Sequence, residues 1–116
     1  MKPFLQSLSC AFRGIKEVFS ESNFRIEIII GFFAVMLSFL LNTSLTDKAV
    51  IVLCVGLVLG SETVNTAVEQ LSDFISPSHR DEIRITKDLM AAAVLIFSIT
   101  ALIIGIIIFG KALINI

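Results

Sequence analysis

Twenty-two consecutive residues without a charge, Leu89 to Gly110, restrict this chain more than any other feature. A helix needs about 20 apolar residues to cross a bilayer, and an uncharged run beyond about 18 reads as a membrane span. Two more such blocks precede it. One runs from 24 to 45 and contains IIIGFFAVMLSFLL; the other runs from 49 to 68 and carries no charge before Glu62. Asn42, Thr43 and Ser44 supply turn residues between them. With spans at 24–45, 49–68 and 89–110 and 56% hydrophobic residues, the 116-residue chain reads as one all-α membrane domain, 1–116.

Residues 1–23 follow a different rule. Phe4, Leu8, Phe12, Ile15 and Phe19 recur at helical spacing, while Gln6, Ser9, Arg13, Lys16 and Glu17 take the other side. That pattern predicts an amphipathic N-terminal helix lying in the membrane interface, or a short helix packed on the bundle. No apolar segment followed by a small-residue cleavage site is found, so no removable signal peptide is expected. Lys2, Arg13, Lys16 and Arg25 precede the first span, and Arg80, Arg84 and Lys87 lie between the second and third. The other side holds only Lys48 and Lys111. Basic residues stay on the cytoplasmic side, which predicts a cytosolic N-terminus and a cytosolic 74–87 loop in a multi-pass membrane protein. A net charge of −1 argues against a nucleic-acid partner, which needs a basic surface. Cys10 and Cys54 are expected to be too far apart for a disulfide, and no Cys/His metal spacing occurs.

Within the second apolar block the character changes. Glu62, Asn65, Glu69 and Asp73 are spaced by three, four and four residues, so they project from nearly one side of a helix and climb roughly 16 Å along it. An ionisable group at lipid depth costs roughly 3 kcal/mol or more, which makes Glu62 a candidate functional residue lining a polar cavity. The helix is predicted to end near Pro77, which cannot supply a backbone N–H and disfavours α geometry at Ser76. Thr86 is read as the N-cap of the third span, with Asp88 in its first turn. Glu21 and Glu27, at the start of the first span, fall at the same boundary as Glu69, Lys87 and Asp88. Several carboxylates, an amide and a lysine at a lipid boundary suit phosphoryl transfer. Mg²⁺ is commonly held by one or two carboxylates plus substrate phosphates, a lysine binds phosphate oxygens, and a base accepts the hydroxyl proton. No GxxxxGK[ST] or GxGxxG loop occurs, so a nucleotide site must be built from helix side chains.

The string ETVNTAVEQLSD at Glu62 to Asp73, followed by KDLMAAAVL from Lys87, resembles the ExxNTAxExxxD and KDxxAAAVL signatures of the small prokaryotic diacylglycerol kinase and undecaprenol kinase family. FRGI at Phe12 to Ile15 and ESNFR at Glu21 to Arg25 extend the likeness over essentially the whole chain. The resemblance implies a homotrimer of three-span protomers with sites shared between neighbours. It also implies transfer of the γ-phosphate of MgATP to a membrane lipid alcohol. Carried over position by position, it makes Glu62 the catalytic base and makes Glu21 and Glu69 the metal-linked, nucleotide-binding carboxylates. Asn65, Asp73, Lys87 and Asp88 support the nucleotide, and Ser78, His79 and Arg80 lie in the loop beside it. The SNFR, NTAVE and GIIIF segments look closer to the undecaprenol branch than to the diacylglycerol branch.

Other readings accompany these residues. The polar stripe could fill an oligomer interface, because buried polar groups hold membrane helices together. Glu27 and Arg25 read as interfacial anchors or an ion pair, Asp47 and Lys48 as a solvated turn, and His79 as an exposed loop residue. Gly56 and Gly60 form a GxxxG that would allow close helix packing. The alternative function is a small oligomeric ion- or proton-coupled transporter, which would place its carboxylate at mid-membrane with access from both sides.

Overall fold

The computed structural model describes residues 2–75 and 80–114. Four helices follow in order: α1 Lys2–Val18, α2 Ser22–Leu40, α3 Leu45–Ile75 and α4 Asp81–Ile114. The last three are long and apolar enough to cross a membrane. At a rise of about 1.5 Å per residue, α3 and α4 run about 46 and 51 Å, well beyond the roughly 30 Å of a hydrocarbon core. α3 packs on both α2 and α4 and touches α1. α3 runs antiparallel to α4, with Asp73 against Lys87 at one end and Asp47 against Lys111 at the other, so the polar C-terminal turns of α3 and the charged first turns of α4 project at one end.

Large apolar side chains such as Phe32, Phe33, Phe39, Leu102 and Ile106 face outward, while Ser38, Glu62, Asn65, Thr66 and Ser72 are buried. That distribution reverses the soluble pattern and fits a lipid surround. Hydroxyls on the spans return their hydrogen bonds to their own helices. Ser38 donates to the Val35 carbonyl at 2.7 Å, Ser61 to Val58 at 2.8 Å, Thr66 to Glu62 at 3.0 Å and Thr100 to Ile96 at 2.8 Å. These donors are thereby kept from lipid.

The corner between α1 and α2 is closed by backbone bonds from Ser20 to Glu17 and from Glu21 to Val18. The rings of Phe19 and Phe24 pack edge-to-face at 5.2 Å beside it. Arg25 donates to the Phe19 carbonyl at 3.1 Å, so it braces this corner and makes no ion pair with Glu27. At the opposite end the 42–48 segment is tied down, not merely solvated. The Ser44 hydroxyl accepts from the Asp47 N–H at 3.0 Å, an N-cap for α3. Lys48 donates to the carbonyl and hydroxyl oxygens of Thr43 at 2.6 and 2.9 Å, and Lys111 at the end of α4 pairs with Asp47 at 3.1 Å. Both charges were expected in an open turn, but the far end of α4 comes back over it.

Two further expectations change. Thr86 is not a cap: α4 already begins at Asp81, where Asp81 and Glu82 suit the positive end of the helix, and Thr86 donates to the Glu82 carbonyl at 3.0 Å from inside it. The close helix approach within the protomer is not at Gly56 and Gly60, whose absent Cβ atoms would meet nothing within 4 Å. It is at Gly31 on α2, where a Cβ would lie 2.6 Å from Val55 Cγ1 on α3.

Candidate active site

Because Glu62, Asn65 and Glu69 share one face of α3, the side of that helix packed in the bundle carries them inward. Glu62 is 5% exposed and Asn65 8%, with Thr66 and Ser72 buried beside them. The Asn65 Nδ2 donates to Glu69 Oε1 at 3.4 Å, and its side chain lies near enough to Glu62 to act on that carboxyl. Its Oδ1 is buried without a partner. Glu21, at the start of α2, comes close enough for its charge to act on Glu62, as does that of Glu69. Four of the expected residues, Glu21, Glu62, Asn65 and Glu69, therefore meet in one cluster.

Asp73 lies one turn further along α3, at the rim, and binds Lys87 of α4 across the 76–79 segment. This ion pair ties the end of α3 to the start of α4 and brings the lysine to the edge of the cluster. Asp88 is exposed and pairs with Arg84 at 3.3 Å, one turn before it on α4. Arg80 is exposed, and its carbonyl accepts the Arg84 N–H at 2.9 Å. Ser78 and His79 lie outside the described residues.

One member was missed. Glu27, expected as an anchor or ion-pair partner, stands on α2 close enough for its carboxyl to act on Glu62. Its Oε2 is buried without a partner. The available signal was spacing: Glu27 lies six residues after Glu21, within the same apolar helix, and a carboxylate there asks for a partner. Spacing alone does not say on which neighbouring helix that partner sits. Glu27 also lines a largely apolar cavity of about 580 Å³, walled by α2, α3 and α4 through Gly31, Ala34, Ile51, Ser98 and Phe109 among others.

Chemically, the cluster is an array of carboxyl and amide oxygen donors. Among the described residues no group of three acidic, cysteine or histidine side chains converges to hold a metal by protein ligands alone. Hard oxygen donors, an orphaned amide oxygen and an incomplete protein shell fit a divalent cation that brings further ligands with it, as Mg²⁺ does on a polyphosphate.

A helical membrane protein with a buried carboxylate leading to an acidic rim at one boundary is the class that fold and site define. The family model of prokaryotic diacylglycerol kinase matches residues 9–109, and the chain belongs to this family of membrane lipid kinases. It is 33% identical over 107 residues to the undecaprenol kinase of Bacillus subtilis (strain 168), covering 91% of this chain and 87% of the relative. It is also 34% identical over 103 residues to the diacylglycerol kinase of Synechocystis sp. (strain ATCC 27184 / PCC 6803 / Kazusa), covering 87% of this chain and 59% of that longer protein. The transporter alternative finds no support in these likenesses.

Proposed function

We propose that the protein transfers the γ-phosphate of MgATP to a membrane lipid alcohol, undecaprenol in preference to diacylglycerol, giving undecaprenyl phosphate. The observation that carries this reading is the nearly complete burial of Glu62 inside the helices, on a face that continues through Asn65 and Glu69 to a boundary carrying Lys87. A lipid hydroxyl reaches Glu62 from the apolar side, and a nucleotide reaches the rim from water. Undecaprenol is favoured because the relative bearing that name is matched over 87% of its length, against 59% for the diacylglycerol kinase.

In the proposed reaction the lipid oxygen attacks the γ-phosphorus. A new O–P bond forms as the bond to the β,γ-bridging oxygen breaks, ADP leaves with that electron pair, and Glu62 takes the hydroxyl proton. Asn65 keeps the Glu62 carboxylate turned toward the rim. Glu21 and Glu69 would hold Mg²⁺, which neutralises polyphosphate charge when bound. Lys87, positioned by Asp73, would meet phosphate oxygens, and Asp88 with the 78–80 segment would complete nucleotide binding. On the family resemblance, we assign the completed site to a homotrimer in which neighbouring protomers share it. The apolar residues of α1 would lie in the interface on the cytosolic face of the bacterial inner membrane, where ATP is present.

Purified protein with MgATP and a panel of undecaprenol, diacylglycerol and ceramide in mixed micelles tests this reading. Phosphate on undecaprenol exceeding that on diacylglycerol is expected. A reversed order rejects the lipid assignment, and no lipid phosphate from any of them rejects the kinase reading.

A further inference from the structure

Each of the three helices that wall the apolar cavity does so with one face. On α3 the lining positions Ile51, Cys54, Val55 and Val58 follow the helical repeat, and Glu62 is the next position on that face, one turn beyond Val58. Glu27 begins the α2 wall in the same way, ahead of Gly31 and Ala34. The cavity therefore starts where the carboxyl cluster ends. From there α4 follows it from Ser98 to Phe109, roughly 16 Å at about 1.5 Å per residue. α2 and α4 each pack on α3 but hardly on one another, and Ile30, Leu102 and Ile106 line the cavity while staying largely exposed. It is thus a slot floored by α3 and open along one side to the bilayer.

Small residues keep the slot open. Gly105 stands in the α4 wall, and a Cβ there would meet nothing nearer than Phe109 Cδ2 at 4.0 Å. A void of about 580 Å³ is foreign to a close-packed interior, and its walls give water few partners: among the described residues that line it, only Glu27 and Ser98 bring side-chain oxygens. Its size falls in the range of roughly 300–1,000 Å³ usual for ligand sites. The occupant that matches it is apolar along its length and polar at one tip, the tip lying at the Glu27 end. We propose that the slot holds the hydroxyl-proximal part of a single-chain polyprenol, entering sideways between α2 and α4, and that Gly105 selects for this chain by leaving its path free. A polyprenol ends in its hydroxyl, so the tip reaches the Glu62 end while the chain follows the slot and leaves by the open side. Diacylglycerol carries two chains on ester groups beside its hydroxyl. One slot seats one chain, and the ester oxygens find few donors there. The proposal rests on the lipid kinase reading and adds to it what sets the choice of alcohol.

Gly105→Leu fills the slot roughly 10 Å past Ser98. With purified protein in mixed micelles it is expected to raise KM for undecaprenol at least about tenfold, while kcat and KM for MgATP stay within about twofold. Gly110→Leu adds the same bulk to the same helix outside the slot, where a Cβ would meet nothing within 4 Å, and should leave all three constants within about twofold of the parent. Equal changes in the two variants, or an unchanged undecaprenol KM in Gly105→Leu, overturn the proposal. A prenol carrying a photoreactive diazirine on its chain gives a readout that needs neither turnover nor a folded variant. In the parent it should label segments 27–34 and 98–109, and excess undecaprenol, but not diacylglycerol, should suppress that labelling. Labelling confined to other segments rejects the slot, as would follow if the helix of a second copy filled it. Suppression by both lipids alike rejects single-chain selection. A parent labelled in the slot that phosphorylates no lipid alcohol would fault the function and leave the binding site standing.

Discussion

Glu62 carries the chemistry because it combines near-complete burial with a polar route outward, through Asn65 on the next turn and Glu69 beyond it. Replacing its carboxylate by the isosteric amide keeps the shape and removes the base. Glu62→Gln is therefore expected to lose about 10²- to 10⁴-fold in turnover, with MgATP still bound and the assembly intact. Activity within about tenfold of the parent would rule out its role as base, and loss of the assembly would return it to the interface reading. Its sequence position was legible because one unusual residue interrupted an apolar run. Its surroundings were not, since Glu27 is 35 positions away in the chain and meets it only across a helix pair.

At the scale of the helices, the distance between α2 and α3 sets whether Glu27 and Glu62 can touch. Gly31, one turn beyond Glu27, is where the two come closest. Val55 is β-branched, and in a helix its χ1 is held to one strongly preferred rotamer, so it gives way poorly to an added methyl. Replacing Gly by Ala inside a helix ordinarily gains nearly 1 kcal/mol of propensity, which is the effect expected of Gly56→Ala within the protomer. Gly31→Ala should do the reverse, because overpacking costs about 1–3 kcal/mol. Thermal unfolding of the two variants in the same detergent measures the contrast, and a Gly31→Ala protein as stable as the parent would mean that the contact yields. The GxxxG pattern does not mark the tight contact within the protomer, because it records small residues on one helix face and not what packs against that face.

For the whole molecule, the polar rim, Lys87 and the start of α4 lie at one end, while the Asp47–Lys111 pair and the 42–44 turn lie at the other. The basic-residue asymmetry assigns the first end to the cytosol. With Cys10 and Cys54 replaced, a single cysteine at exposed Asp81 should react with an impermeant reagent only after intact cells are opened. One at Asn42 should react from outside. The opposite pattern would reverse the orientation and remove the nucleotide site from the compartment that supplies ATP.

The sequence by itself determined the membrane class, the three spans and the stripe that carries Glu62, Asn65 and Glu69. Each of these follows from local chemistry: an uncharged run of sufficient length, a 3.6-residue repeat. Its motifs also carried the family. Only the tertiary structure decided that Glu27 faces Glu62, that Arg25 turns instead to the Phe19 carbonyl, that Gly31 and not Gly56 is the tight contact, and that Lys111 reaches Asp47. These pairings depend on how far each helix is rotated about its axis and slid along its neighbour. An apolar helix with small residues on more than one side leaves that rotation and register open until side chains from separate helices interlock.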